Sequence, residues 1–207
     1  MRRLPWFACL FILILASGLT SCGICSKKVN CPAFSDTVLV SWFPYTDNQL
    51  LIFFSSQGQA DTLLLKNTGN SQPYVSTSMY SNGCIAEKSF TSTEADSSGF
   101  LFSANLQSST NSSNTVFRSA SIDIKGVLIS TQVEDTGFMS VAINALNASV
   151  QHLPAITLGN RTFSNVIVAS LDTSSQKIPN IYKVYFSKGQ GLVGYSEYLT
   201  ATTWVRQ

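Results

Sequence analysis

FLFSANLQSSTNSSNTVFRSASIDIK, residues 100–125, is the stretch that decides the fold class. Apolar residues recur there at every second position: Phe100, Phe102, Ala104, Leu106, Ala120, Ile122 and Ile124. A period of two is typical of a β-strand that buries one face. The polar residues 107–115 between the two runs predict a loop. This stretch therefore predicts two strands joined by a polar connection.

Short runs of β-branched and aromatic residues continue in both directions and predict further strands. These lie at 38–43, 50–54, 62–65, 156–158, 166–169, 181–187, 192–198 and 202–205. The segment from Phe138 to Leu153 fits either one face of a helix or one side of a strand, and we prefer a strand at 138–144. Gly159-Asn160 is a dipeptide typical of a tight hairpin turn.

About ten or more short strands without a clear helix predict an all-β fold. We expect antiparallel sheet that forms a β-sandwich or a curled, partly open barrel, with few or no long helices. The sandwich is the simpler alternative, because a second sheet covers the apolar face of the first.

The N-terminus has the features of an export signal. Arg2 and Arg3 precede an apolar run from Trp6 to Leu19, which is too short for a transmembrane helix of about 20 residues. Leu19-Thr20-Ser21-Cys22 resembles the bacterial lipobox, in which cleavage occurs before an acylated cysteine. We therefore predict lipidation at Cys22; the alternative is an ordinary secretory signal that is cut nearby.

The predicted organisation is a signal peptide at 1–21, a lipidated cysteine and tether at 22–35, and a single β-rich domain at 36–207. Cleavage would remove 21 of 207 residues and lower Lys+Arg from 13 to 11, against 11 Asp+Glu. The mature chain would be neutral and has no long basic run, so the sequence does not predict nucleic-acid binding.

Cysteine usage predicts one disulfide. Of the five cysteines, Cys9 would leave with the signal and Cys22 would carry lipid, so three remain in an oxidising compartment. We prefer the pair Cys31–Cys84, which closes a long loop, and keep Cys25–Cys31 as the alternative. The Cys22-Gly-Ile-Cys25 spacing follows a signal peptide rather than opening a helix, which disfavours a redox or zinc motif.

Two motifs that suggest catalysis have simpler interpretations. Gly189-Gln-Gly-Leu-Val-Gly194 matches GxGxxG, but no helix follows it to bind a pyrophosphate, so a hairpin turn is favoured. His152 is the one histidine, and no GxSxG nucleophile motif accompanies it, so a surface histidine is expected. We predict no catalytic residue, no cofactor-binding residue and no metal site.

Paired carboxylates are the remaining catalytic alternative, because two of them suffice for glycoside hydrolysis. The available acidic residues are Glu87, Glu94, Asp96, Glu134, Asp135, Asp172 and Glu197. Aromatic residues are plentiful, and most are expected in the core, with a minority available to line a groove for a sugar or a lipid.

The order of signal, lipobox, tether, Cys31-Pro32, β-rich body and closing segment Val184-Tyr-Phe-Ser-Lys-Gly-Gln-Gly-Leu-Val-Gly-Tyr195 resembles secreted envelope lipoproteins of Bacteroidota. The resemblance implies an outer-membrane location. Residues 23–28 lack the acidic surface-export signal of some members, which favours the periplasmic side.

Three functions are therefore expected, in this order. The first is a lipid-anchored envelope protein with a non-enzymatic binding or scaffolding role and a sugar, lipid or protein partner. The second is a carrier of a lipid or other apolar ligand, similar to the half-barrel lipoprotein-localisation factors, which requires an internal apolar cavity. The third is a carboxylate-dependent glycoside hydrolase.

Overall fold

A computed structural model describes residue 31 and residues 33–207, apart from 71–72, 79–80, 95–101, 111–114 and 175–177. Residues Cys31–Gln207 form one compact unit. The predicted signal, Cys9, Cys22, Cys25 and residues 23–30 of the predicted tether lie outside the described residues.

Within those ranges the chain has one short helix and thirteen strands. They are α1 (Thr37–Trp42), β1 (Leu50–Ser55), β2 (Ala60–Asn70), β3 (Tyr74–Ser78), β4 (Ser81–Glu94), β5 (Phe102–Thr110), β6 (Val116–Ile124), β7 (Val127–Glu134), β8 (Gly137–Ile143), β9 (Leu146–Leu158), β10 (Arg161–Ser170), β11 (Ile181–Ser187), β12 (Gly191–Glu197) and β13 (Thr203–Arg206). None of the helices found in the described part of the chain is long and apolar enough to cross a membrane.

All the strands belong to one antiparallel sheet. From β4 to β13 each strand pairs with the next one in sequence, and β13 pairs with β1. Because β2 pairs with both β1 and β4, the sheet closes into a ring, and β3 extends the edge of β4 beside β2. The ring is not a regular barrel. The predicted all-β, antiparallel, curled architecture is confirmed.

The ring is irregular where β8 meets β9. These strands pair only from Val141↔Ala148 to Ile143↔Leu146 and separate beyond that point. The far end of the β9–β10 hairpin packs on the outer surface of the sheet, where Leu158 and Phe163 join Tyr185 and Val193 in a second apolar cluster. This part of the fold therefore has two layers, as in a sandwich.

The main core fills the inside of the ring, and the N-terminal segment contributes its centre. The Phe43 ring centroid lies 5.7 Å from that of Phe138 and 5.7 Å from that of Phe186. Tyr45 lies 5.9 Å from Phe90 and contacts Phe102 in the same way at 5.6 Å. Because burying an aromatic side chain is worth several kcal/mol, about 3–5 on truncation to alanine, this segment is a main source of stability.

The predicted strand at 38–43 is wrong, because these residues form α1. The Asp36 carboxylate accepts a hydrogen bond of 3.0 Å from the Leu39 backbone N–H and caps the helix. Leu39 and Trp42, three positions apart, are its buried residues. A short continuous apolar run does not distinguish a strand from a helix, and the cap decides the outcome here.

The predicted loop at 107–115 is shorter than expected, because β5 continues to Thr110. Residues Gln107 to Thr110 pair with Glu87 to Cys84 on one side and with Ser119 to Val116 on the other. Polar residues remain in a strand when both of its edges are hydrogen-bonded by neighbouring strands.

The other local predictions agree with the structure. The segment predicted as a strand at 138–144 is β8, and Gly159-Asn160 forms the turn between β9 and β10. The GxGxxG match begins in the turn between β11 and β12 and continues into β12. The hairpin interpretation of this motif is confirmed.

Candidate functional site

The separation of β8 from β9 opens a cleft of about 420 Å³, which we call the β8–β9 cleft. Its lining comes from α1, the β7–β8 turn, β9, β10 and the β11–β12 turn: Trp42, Asp135, Thr136, His152, Leu153, Pro154, Asn165, Val166, Ile167 and Lys188. It combines an imidazole, an ammonium, a carboxylate and an amide with apolar walls. A concave surface with a few convergent polar groups is the usual form of a small-molecule site.

His152 defines one wall of the cleft. It is exposed on β9, as expected for a surface histidine, and its imidazole lies against the backbone of Gly137 at the start of β8. A Cβ atom on Gly137 would come within 2.4 Å of His152 Cε1, and Gly137 has a φ of +142°. Glycine is therefore required at this position for two reasons, the backbone conformation and the close approach of the imidazole.

Trp42 and Lys188 define the opposite side. The Lys188 ammonium lies 5.8 Å from the centroid of the Trp42 ring, within the range of a cation–π interaction. Trp42 is buried, and its Nε1–H has no hydrogen-bond partner within the described ranges. A buried donor without an acceptor is unfavourable, so this N–H is a local cost to stability in the wall of the cleft.

Asp135, at the rim, is linked to the buried helix cap through Arg118. Arg118 Nε donates to Asp36 Oδ2 at 2.7 Å, and its Nη1 lies 3.8 Å from Asp135 Oδ1. Burial alone would raise the pKa of Asp36, but the Leu39 N–H, the Arg118 guanidinium and the Ser108 hydroxyl together lower it below its ordinary value. Asp36 is therefore charged at neutral pH, and the guanidinium is held between two carboxylates.

The predicted carboxylates are dispersed, with one exception. Glu87 accepts a hydrogen bond from Gln107, Glu134 ends β7, and Asp172 accepts from Ser174 in the loop after β10. Asp96 and the side chain of Glu94 lie outside the described residues. The exception is Glu197, which is buried at the end of β12 and contacts the same lysine, Lys125, as a second buried carboxylate, Asp61.

Glu197 belongs to a group that we call the Lys125 cluster: Asp61, Lys125, Tyr195, Glu197 and Trp204. Lys125 Nζ lies 3.1 Å from Asp61 Oδ2 and 3.1 Å from Glu197 Oε1. The same ammonium lies 4.5 Å from the Trp204 centroid and 5.6 Å from that of Tyr195. One cation, carried on the turn between β6 and β7, is thus shared by two buried carboxylates across the ring.

Tyr195 completes this cluster as a neutral phenol. Burial raises its pKa, and the neighbouring carboxylates of Asp61 and Glu197 raise it further. The phenol therefore stays protonated, and both carboxylates of the cluster contact the same ammonium. Two catalytic carboxylates of a glycoside hydrolase must instead face the substrate across a cleft. The chemistry of the cluster is that of a structural ion-pair network.

Two further expectations concern cysteine and metal. Cys31 and Cys84, the preferred pair, are joined by a disulfide across 53 positions of sequence. The residues that the structure describes contain no group of three or more His, Cys, Asp or Glu side chains that could hold a metal ion.

Sequence reasoning missed Lys188, Asp61 and Lys125. Lys188 lies in the closing segment Val184–Tyr195, which predicts a hairpin, and Asp61 begins a triplet that resembles a glycosylation signal; neither pattern indicates the contacts that these side chains make. Trp42 was recognised only as one of many aromatic residues. No protein-family model, curated protein or solved structure matches the chain.

Proposed function

We propose that this protein is a lipid-anchored protein of the bacterial cell envelope with a non-enzymatic binding or scaffolding role, held at the outer membrane and facing the periplasm. The observation that carries the proposal is the sequence Leu19-Thr20-Ser21-Cys22 at the end of the apolar run from Trp6 to Leu19. Acylation of Cys22 would anchor the chain durably, because each buried CH₂ contributes about 0.8 kcal/mol.

The β8–β9 cleft supports a binding role. Its volume of about 420 Å³ suits a small ligand, and its polar groups suit a sugar or another small polar molecule better than a lipid. The groups differ in charge, and the cleft contains no metal-ligand cluster among the described side chains. These features favour recognition over catalysis.

Packing inside the ring supports the same choice over the carrier alternative. A carrier of a lipid needs an internal apolar cavity. The centre of this ring is instead occupied by Phe43, Tyr45, Phe138 and Phe186, which contact one another or their neighbours at 5.3 to 6.4 Å between centroids. The binding surface that we propose is therefore on the outside of the ring.

Mass spectrometry of the mature N-terminus tests the anchor. We expect the chain expressed in a Gram-negative host to begin at Cys22 with two or three acyl chains and to fractionate with the membrane. The matched control is Cys22→Ser, which should lose the acyl mass and leave the membrane fraction. An unmodified amine at any residue other than Cys22 would overturn the proposal.

A further inference from the structure

One end of the ring carries an apolar row on its outer face, which we call the tether-end row. The strand registers align Tyr74, Ile85, Ser109 and Phe117 on four successive strands, β3 to β6. Paired residues of adjacent strands point to the same face of a sheet. Ser109 and Phe117 lie three positions from the core residues Leu106 and Ala120, so they point to the opposite face of the sheet. Tyr74 and Ile85 share that face because they pair in the same row. Strands are spaced by about 4.8 Å, so the row extends about 14 Å from Tyr74 to Phe117.

The row is exposed at both of its ends. Tyr74 is 46% exposed and Phe117 is 57% exposed. The acidic residue nearest to the row on the same face of β4 is Glu87, two positions further into the ring, and it accepts a hydrogen bond from Gln107. The exposed carboxylate of Asp135 lies 3.8 Å from Nη1 of Arg118, the residue that follows Phe117. The row itself presents aromatic side chains at both ends, with Ile85 between them.

The disulfide holds the start of the chain at this same end. Cys84 is the β4 neighbour of Ile85, and it pairs with Val75 and Thr110 in the next row of the sheet. Its bond to Cys31 fixes the point from which the tether departs. Eight residues lie between Cys22 and Cys31, so nine steps of about 3.3–3.6 Å reach at most about 32 Å.

We propose that the tether-end row lies against the lipid bilayer, with Phe117 and Tyr74 in the interfacial region. This inference rests on the proposed anchor at Cys22. The short tether keeps this end of the ring within reach of the membrane surface, and aromatic side chains favour the interface. The occupant of the row is thus a lipid surface rather than a second copy or another protein.

Quenching by brominated phospholipids tests the arrangement. The variant Phe117→Trp places a fluorophore in the row, and the matched control Leu199→Trp places one on the β12–β13 turn, at the opposite end of the ring and 81% exposed. Both are prepared as the full chain expressed in a Gram-negative host and are reconstituted in vesicles of phosphatidylethanolamine and brominated phosphatidylglycerol. The native Trp42 and Trp204 are buried, and the unsubstituted protein measures their background.

We expect the Phe117→Trp signal to be quenched at least twofold more than the Leu199→Trp signal, and a second variant, Tyr74→Trp, to behave like Phe117→Trp. Equal quenching at the two ends would overturn the inference. So would an emission shift of the Phe117→Trp protein that depends on protein concentration and not on lipid, because the row would then be an interface between copies.

Mass spectrometry of the same samples separates this inference from the proposed function. Acylated Cys22 without selective quenching removes only the membrane-facing row. Selective quenching with an unmodified Cys22 removes only the anchor and leaves the row as a lipid-binding surface. An unmodified Cys22 together with equal quenching at the two ends would exclude both the anchor and the membrane-facing row.

Discussion

Replacing Lys125 with methionine tests whether the Lys125 cluster stabilises the closed ring. Lys125 is the shared partner of Asp61 and Glu197, whose side chains are only 9% and 7% exposed. Removing one member of a buried ion pair costs about 3–5 kcal/mol, because an uncompensated charge remains buried. The lysine side chain itself is 27% exposed, so we take the lower value, about 3 kcal/mol, as the expected loss of unfolding free energy.

Urea denaturation followed by far-UV circular dichroism measures this loss. With a slope of about 2 kcal/mol/M, the midpoint should fall by about 1.5 M. The control Lys66→Met removes a half-exposed lysine that bonds the Asn48 side chain, and it should change stability by less than about 1 kcal/mol.

A triple variant separates charge burial from side-chain packing. Asp61→Asn, Lys125→Met and Glu197→Gln together leave no buried charge, so the triple variant should recover more than half of the loss seen for Lys125→Met alone. A loss of less than about 1 kcal/mol for Lys125→Met would show that Lys125 does not stabilise the two buried carboxylates. A triple variant as unstable as the single one would show that the loss comes from packing and not from buried charge.

Three further variants test the other contacts of the domain. Asp36→Ala removes the helix cap and the Arg118 ion pair and should cost about 2 kcal/mol at pH 7. The pKa of Asp36 in the folded protein lies below its ordinary 3.8. The extra stability of the wild type should therefore be complete above about pH 5 and decline as the pH falls through the folded pKa. A difference in urea midpoint between wild type and variant that is the same at pH 7 and pH 3 would contradict this. Replacing Cys31 and Cys84 together with alanine should lower stability by about 4 kcal/mol, the loop-closure value for 53 residues, and wild-type protein under reducing conditions should match the variant in thermal melts. Gly137→Ala should cost about 1–3 kcal/mol through its positive φ and its contact with His152, and adding His152→Ala should relieve only the contact; full recovery in the double variant would show that the backbone is not strained.

The strand content could be predicted because it is a local property. Alternation at Phe102 to Leu106 and at Ala120 to Ile124 records which side chains face the core, and both segments are strands. The turn at Gly159-Asn160 is equally clear, since glycine tolerates positive φ and Gly159 has a φ of +58°. These signals require only the identity of neighbouring residues.

The helix, β3 and β4 were less accessible. The run 38–43 carries no alternation that excludes a helix, and the deciding hydrogen bond comes from Asp36, just outside it. The strands Tyr74–Ser78 and Ser81–Glu94 are rich in serine, threonine and asparagine and have no clear apolar period. They are held by ladders to β2 and β5, which the local sequence does not record.

The candidate site was the hardest part to predict, because it depends on contacts between distant segments. Lys125 and Glu197 are 72 positions apart, and their pairing follows from ring closure. The β8–β9 cleft exists because two consecutive strands separate. No residue pattern in either strand predicts this separation. The sequence predicts His152 as a surface residue. The residues Trp42 and Lys188, which line the same cleft, lie more than 140 positions apart in the sequence.

The pairing of β1 with β13 has a consequence for the order in which this domain is assembled. The ring closes where Phe53, Phe54 and Ser55 of β1 pair with Arg206, Val205 and Trp204 of β13. This seam joins the first strand of the domain to its last strand. During synthesis or export from the N-terminus, the segment that carries Phe43 appears first but gains its enclosing wall only when the final strand arrives. Pairings this distant in sequence form slowly. Until the four-residue β13 pairs with β1, the ring is open at this seam and the aromatic segment lacks part of its enclosing wall.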